Sequence, residues 1–222
     1  MKVLGLDSAG GRCAVAVLDG ERIAAARAEA MVRGQAERLM PLIAAALAAA
    51  GVAPAALDLI AVTTGPGSFT GIRIGLAAAR GLALATGRPA IGVGVFDAYA
   101  QAVPPTARGG RTLAVAVESK RDEFYLRVFA AGGASPPAQV SPRDVAAWLP
   151  QGPLLLAGDA AARLQAQLSG RDVAVAAGTE AVDPALVARL GRARHAAGDA
   201  APPRPFYLRA ADTTTPRRAA AP

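Results

Sequence analysis

Residues 57–87 read LDLIAVTTGPGSFTGIRIGLAAARGLALATG, and this stretch decides the fold. Its first seven residues form a short apolar run that predicts a buried strand. Apolar positions with helical spacing then continue from 72 to about 85, and Gly87 ahead of Pro89 predicts the end of that helix. Between them lies a glycine-rich turn. The order strand, turn, helix predicts an α/β domain.

The turn at 65–71 has two interpretations. It can present backbone N–H groups to an anion at the helix N-terminus, or it is a tight strand-to-helix turn that Ser68 or Thr70 caps. It is not a Walker A loop, because no Gly-Lys-Ser/Thr follows at the required spacing. The residue types alone favour the tight turn. Inside the helix, the glycines each cost about 1 kcal/mol relative to alanine, which predicts close approach of another helix near Gly75 and Gly81.

The residues before this stretch predict three strands and a helix. Strands are expected at 3–7, 13–18 and 21–28, with an Asp19-Gly20 hairpin turn between the last two. Residues 35–50 have helical periodicity but are apolar on nearly every side, so we expect the protein's own sheet on one side and a partner on the other. Pro41 predicts a kink or a later start for this helix.

The residues after it predict a second lobe that begins like the first. A strand at 90–95 and a helix at 96–103 close the first lobe, and 104–110 is a connector. The second lobe has paired strands and then mixed elements, namely strands at 112–117, 123–129, 154–156 and 173–175 and helices at 142–149, 160–168 and 184–195. We predict an N-terminal partner-binding lobe at 1–105, a smaller lobe at 106–209 and a disordered tail at 210–222.

Composition excludes several functions. With a single cysteine, Cys13, and a single histidine, His195, the 222-residue chain has neither an internal disulfide nor a paired-histidine zinc site. His195 lies in a polar, alanine-rich stretch and is interpreted as a solvated helix end rather than a catalytic base. The net charge is +7, but the basic residues are scattered and 22 of the 24 are arginine. Specific nucleic-acid recognition is therefore not indicated.

The chain shows no secretory signal or membrane span. The few apolar residues before Asp7 are too short for a signal. The uncharged run at 39–57 is mostly alanine and is interrupted by Pro41, Gly51 and Pro54, so it is interpreted as a buried helix plus a turn. We expect a soluble, cytoplasmic protein.

Two turns bear on whether the chain uses a nucleotide. Asp7-Ser8-Ala9-Gly10-Gly11 has the form of a turn that holds magnesium and phosphate in sugar kinases and actin-like ATPases, although it is also ordinary hairpin chemistry. The matching turn of the second lobe, 118–123, reads ESKRDE. It has no glycine, and its bulky charged side chains would block a phosphate from the backbone. The nucleotide clamp is therefore interpreted as lost.

Five motifs occur in an order that resembles the TsaB family, once called YeaZ. They are GLDS (5–8), GQAERLMP (34–41), GPGSFTGIRIG (65–75), VESKRDEFY (117–125) and PFYLR (205–209). The third is highly specific, and the resemblance extends to about residue 209. Gln35 stands where many relatives have His, and Glu118 where many have Asp, so the first helix offers no metal ligand. The old glycoprotease label has no mechanism here, with one histidine and no metal pair.

The resemblance implies a degenerate, two-lobed actin-like ATPase (RNase H-like) α/β fold without catalysis or a metal site of its own. The chain would bind the catalytic subunit TsaD and work with the ATPase TsaE in threonylcarbamoyl transfer to ANN-decoding tRNAs, meeting tRNA only through the complex. A homodimer is the alternative assembly. The resemblance implies no cofactor of the chain's own and leaves open ATP or ADP at the partner interface.

The residues that the resemblance assigns fall into two sets. The first two helices would bind the partner through Gln35, Arg38, Leu39, Leu42, Ile43, Ala46, Phe69, Ile72, Arg73, Leu76, Ala79 and Arg80. The family motif loop comprises Gly65, Pro66, Gly67, Ser68, Phe69, Thr70, Gly71 and Arg73.

Two other functions stay open. The chain could be a small actin-like ATPase or kinase that uses Asp7 and the turn at 65–71. A direct tRNA-binding module is supported only by the basic charge.

Overall fold

The computed structural model describes residues 1–31, 33–199 and 201–209. The predicted disordered tail at 210–222 lies outside the described residues. Two mixed sheets and six α-helices make up the described chain. No helix within those ranges combines the length and apolar character needed to cross a bilayer.

The first sheet has the strand order β3-β2-β1-β4-β5. Its strands are β1 (Lys2–Asp7), β2 (Arg12–Asp19), β3 (Arg22–Ala30), β4 (Leu59–Gly65) and β5 (Ala90–Gly94). The first three are antiparallel, whereas β4 and β5 run parallel to β1, with Val3 opposite Leu59. Apolar residues fill β1, β2 and β4 almost without interruption, because this sheet is covered on both faces.

Helices cover both faces of the first sheet. On one face, α1 (Gln35–Ala50) lies over β2 and β3, and α2 (Phe69–Thr86) lies over β4. The opposite face is covered by α6 (Pro184–Ala196), with α3 (Val95–Ala102) beside it. Alternation along β4 separates the two faces: Val62 lies next to α2, and Ala61 lies against Gly191 of α6.

The second sheet has the order β11-β10-β6-β7-β8, with β9 also paired to β7. Its strands are β6 (Thr112–Glu118), β7 (Phe124–Ala130), β8 (Gly133–Ala134), β9 (Ala138–Val140), β10 (Leu154–Ala157) and β11 (Val173–Val175). Its helices are α4 (Val145–Trp148) and α5 (Ala161–Ala166). One face of this sheet has its own small core, and Leu113, Val115 and Val117 on the other face join the main core.

Helix α6 crosses between the predicted lobes. It lies in the range assigned to the second lobe, yet it packs on β1, β2 and β4 of the first sheet. A Cβ at Gly5 would lie 2.2 Å from the carbonyl oxygen of Pro184, so the strand and helix backbones are in direct contact. The boundary near residue 105 stays a prediction, but the first sheet is completed by the end of the chain.

Most predicted elements are present, with a few differences. Helix α1 has the predicted bounds and continues through Pro41, so the predicted late start is wrong. Helix α2 begins three residues earlier than predicted, because the Ser68 hydroxyl caps it at the N–H of Gly71. Helix α4 is shorter than expected, since Ser141 and Asp144 hydrogen-bond in a turn before it. Strands β8 and β9 were not predicted.

The glycines of α2 do not meet another helix as predicted. A Cβ at Gly75 would lie 2.6 Å from the hydroxyl of Ser8, so the close approach is to the turn after β1. Gly81 is exposed and a Cβ there would meet open space. The structure therefore requires the first of these glycines for packing and does not require the second.

Candidate functional site

The outer surface of α1 and α2 carries exposed apolar residues among charged ones. On α1, Met40 is 47% exposed, and it is followed along the same side by the exposed Ala44 and Ala48. On α2, Leu84 is 88% exposed beside the exposed Gly81. We call these residues the helix face. Each of the two helices thus leaves one large apolar side chain open to solvent beside small residues.

Seven of the predicted partner-binding residues are corrected by the structure. Each is at most 4% exposed and packs against the protein's own sheet; they are Leu39, Leu42, Ile43, Ala46, Ile72, Leu76 and Ala79. A partner on the outer surface of the helices cannot touch them. They build the core because the stripe with the largest apolar side chains turns inward.

Of the predicted partner residues, Arg38, Phe69, Arg73 and Arg80 are exposed and Gln35 is partly buried. Their role in docking stays a prediction. The sequence analysis assigned neither Met40 nor Leu84 to the interface. Helical periodicity did not separate these outward residues from the inward ones, because apolar residues occur on nearly every side of both helices.

Arg38 already has a partner within the chain. Its guanidinium forms a two-point ion pair with Glu29 of β3, at 2.6 and 2.9 Å. This contact lowers the pKa of the Glu29 carboxyl below its ordinary value. The pair lies at the surface, where such contacts contribute little to stability, so its effect is to hold the Arg38 side chain against β3.

The motif loop at 65–71 is a tight turn, as the residue types favoured. The N–H of Ser68 donates to the carbonyl of Ala9 at 2.7 Å, and the N–H of Gly71 donates to the Ser68 hydroxyl at 3.2 Å. A Cβ at Gly71 would lie 2.0 Å from the carbonyl oxygen of Ser8. The loop thus joins the turn after β1 to the start of α2, and these N–H groups are already bonded within the protein.

The PFYLR segment lies against the same loop. The N–H of Phe206 donates to the carbonyl of Thr64 at 2.8 Å. The Tyr207 and Phe69 ring centroids are 5.0 Å apart, and the Arg73 guanidinium lies 3.7 Å over the Phe69 ring. The first, third and last motifs of the sequence therefore meet at one place.

In the second sheet, the turn at 118–123 is filled by the protein's own side chains. Arg163 holds Glu118 with two hydrogen bonds of 3.0 Å and stacks 3.8 Å over the Phe124 ring. Lys120 has a φ of 63°, a conformation in which glycine is preferred. The acidic group at Glu118 is therefore engaged in an ion pair.

A cleft of about 440 Å³ lies between the two sheets. Asp7 on its wall is buried and accepts hydrogen bonds from the Thr63 hydroxyl at 2.8 Å and the N–H of Ala9 at 3.2 Å. Asp159 faces it from the second sheet and accepts the N–H of Glu118 at 2.9 Å. Burial raises the pKa of both carboxyls, that of Asp159 to about 6.

The cleft is not built as a metal centre. Within the described ranges, no group of three or more His, Cys, Asp or Glu side chains is arranged to hold a metal ion. His195 lies at the end of α6 and is exposed, and Cys13 is buried in β2, so neither borders the cleft.

A second cavity of about 320 Å³ lies beside the motif loop. Its wall carries the cations Lys120, Arg121 and Arg209, with Tyr125 and Tyr207 among its aromatic groups. No carboxylate lines it among the described residues. Positive charge next to the N-terminus of α2 favours an anion.

The chain resembles known proteins in both its sequence and its structure. The model of the TsaD family, described as tRNA N6-adenosine threonylcarbamoyltransferase, matches residues 28–144, more than half of the chain. The TsaB protein of Escherichia coli, named for tRNA threonylcarbamoyladenosine biosynthesis, is 34% identical over 125 residues. That match covers 56% of this chain and 53% of the E. coli protein, so the chain spans about half the length of this curated relative. YeaZ from Pseudomonas aeruginosa superposes with a TM-score of 0.78 at 29% identity, over 93% of this chain and 99% of that one.

The chain belongs to this family, on its TsaB (YeaZ) branch.

The actin-like fold predicted for a TsaB-family chain is confirmed. The ROK hexokinase of Thermus thermophilus superposes with a TM-score of 0.51 at 18% identity, covering 88% of this chain and all of that one. Likeness at this level concerns the fold alone. In the TsaB-family chain the three motifs that meet at the loop hold α2 in place, whereas the exposed apolar residues lie on the outside of α1 and α2.

Proposed function

We propose that this TsaB-family chain is a non-catalytic subunit that binds the TsaD threonylcarbamoyltransferase and supports its modification of ANN-decoding tRNAs. The observation that carries the proposal is the helix face, where Met40 and Leu84 are open to solvent on adjoining helices. Burying such side chains in a complex contributes about 1.5–3 kcal/mol each. The relatives' names supply the partner, since they describe threonylcarbamoyladenosine biosynthesis and its transferase. A role on tRNA would be exercised in the cytoplasm.

Two features support an accessory role rather than an ATPase. The N–H groups of Ser68 and Gly71 are bonded within the protein and cannot cradle a phosphate. In the second sheet, Glu118 lines the cleft, and its carboxylate is already paired with Arg163. An ATPase of this fold would need the turn at 118–123 to hold phosphate together with the turn at 7–11.

A nucleotide at the partner interface is a separate proposal. The cavity beside the motif loop has three cationic side chains and aromatic groups on its wall, which suits a phosphate with a stacked base. We propose that ATP or ADP binds there when TsaD is present. TsaE and tRNA would then join through the complex, and a homodimer through the helix face would compete with TsaD.

Size exclusion with the cognate TsaD tests the main proposal. The wild-type chain is expected to co-elute with TsaD, and Leu84→Lys to abolish co-elution because a charge would be buried in the contact. Val175→Lys is the matched control, since Val175 is 37% exposed but lies on β11, away from the helix face. Failure of the wild-type chain to bind TsaD contradicts the proposal.

An assay of tRNA modification tests whether TsaD activity requires the chain. Threonylcarbamoyl transfer to tRNA by TsaD and TsaE is expected to need the chain and to fail with Leu84→Lys. Steady ATP turnover by the isolated chain, lost in Asp7→Ala, would instead support the small ATPase. Tight tRNA binding by the isolated chain at physiological salt would support the direct RNA-binding module.

A further inference from the structure

The end of the described chain forms a strap along α2. We call residues 203–209 the strap. At one end, the Arg80 guanidinium donates to the carbonyl of Pro203 at 2.6 Å. At the other, Nε of Arg73 donates to the Tyr207 hydroxyl at 3.2 Å. The later strap residue contacts the earlier helix residue, so the strap runs antiparallel to α2. The two lengths are compatible, because seven helical residues span about 10.5 Å and four extended residues reach about 13 Å.

The strap is fixed to the core between these contacts. Pro203 is buried beside Gly92 of β5, where a Cβ would lie 3.3 Å from the proline ring. The N–H of Phe206 is bonded to Thr64, and a Cβ at Gly65 would lie 2.4 Å from the carbonyl of Phe206. Because main-chain atoms hold it at two points, the strap presents Tyr207 from a rigid base.

Tyr207 contacts two exposed side chains of α2. Its ring lies 5.0 Å from that of Phe69, and its hydroxyl accepts from Arg73, whose guanidinium lies over the Phe69 ring. Phe69 is 36% exposed and Arg73 is also exposed. Aromatic and arginine side chains are the ones most often central to protein interfaces. The three therefore form an ordered cluster at the N-terminal end of α2.

We infer that Tyr207 is a positioning residue for docking: the strap holds Phe69 and Arg73 in the conformation that TsaD receives. This rests on the proposed function. A partner that meets side chains already held in one rotamer does not have to order them, and that ordering costs free energy for each flexible side chain. Arg73 and Arg80 also hold the strap in place, because each donates a hydrogen bond to it.

The experiment measures the Kd for purified cognate TsaD by titration calorimetry. Tyr207→Ala is expected to weaken binding about tenfold, because two side chains lose their order. Tyr207→Phe keeps the ring contact and loses only the hydroxyl, so binding weakens about two- to threefold. Arg204→Ala is the control on the same strap, because this side chain is exposed and is not one of the three in the cluster; its Kd should match the wild type.

A double-mutant cycle distinguishes positioning from general destabilisation. If Tyr207 acts through Phe69 and Arg73, then Tyr207→Ala should change nothing in a Phe69→Ala/Arg73→Ala background. An equal Kd for wild type and Tyr207→Ala overturns the inference, as does the same fold-loss in both backgrounds. If the wild-type chain does not bind TsaD at all, the proposed function fails and the inference fails with it. Tyr207→Phe retains the stacked ring and supplies the comparison if Tyr207→Ala does not fold.

Discussion

At the residue scale, close contacts around the turn after β1 limit which substitutions the folded chain can accept. Ser8 donates its hydroxyl to the carbonyl of Gly71 at 2.9 Å, and the backbones of the two segments touch. The carboxyls of Asp7 and Asp159 face one cleft from different sheets. The first of these features fixes how the turn after β1 packs on α2.

Adding one methyl group to α2 should have opposite effects at two glycines. Gly71→Ala places a Cβ 2.0 Å from the Ser8 carbonyl oxygen, and we expect a loss of about 3 kcal/mol or more in the free energy of unfolding. Gly81→Ala meets open space and should stabilise the helix by about 0.5–1 kcal/mol. Urea unfolding measures both, and equal effects would contradict this account.

Asp159 should make stability depend on pH. Its pKa in the folded chain is about 6, above the ordinary 3.8, chiefly because burial disfavours the charged form. The folded state therefore gains stability below 3.8 and loses it as the pH rises through about 6. Asp159→Asn should be more stable than wild type at pH 7.5 by up to about 3 kcal/mol, because the asparagine side chain has no charge to bury.

The same variant should show no advantage near pH 4, where the wild-type carboxyl is largely neutral. Asparagine keeps an oxygen that accepts the N–H of Glu118, so the local turn is preserved. Thermal unfolding at the two pH values checks the prediction. A constant difference between variant and wild type at both would refute it.

At the element scale, α1 and α2 divide their apolar residues between two uses. The inward stripes build the core, and the outward residues form the helix face. Periodicity in the sequence indicated both helices and even the exact bounds of α1. It could not tell which side faces the sheet, because alanine and leucine occur all round. The seven corrected residues follow from that ambiguity.

Replacing Leu84 should leave the fold intact. Leu84 is 88% exposed, so Leu84→Lys should change the free energy of unfolding by no more than about 0.5 kcal/mol. Leu76→Lys, one face away and 3% exposed, should lose several kcal/mol because a charge enters the core. Chemical denaturation compares them, and a large loss in Leu84→Lys would show that this side chain is needed for folding.

At the scale of the whole molecule, segments from the C-terminal part of the chain pack on elements from the N-terminal part. The first sheet is covered on one face by α6, which comes from residues 184–196, and the strap from 203–209 fixes the motif loop. Buried apolar residues of the second sheet also join the main core. The two lobes are thus held together by long-range contacts.

A fragment of residues 1–105 should not fold by itself. Without α6, one face of β1 and β4 is left open to water, including Gly5 and Ala61 where the helix backbone packs. We expect a poorly dispersed NMR spectrum and no cooperative thermal transition, in contrast to the full chain. A cooperative, well-dispersed fragment would mean that the predicted first lobe is an independent domain.

The sequence by itself determined the order of the elements, the glycine-rich turn, the five motifs and the glycine-free turn at 118–123, because these depend on local patterns of residue type. The tertiary structure decided which side of each helix is exposed, where α6 packs and how Tyr207 meets Arg73, 134 residues away in the chain. Local periodicity gives no information on such pairings, since they are set by which surfaces exclude water together when the whole chain folds.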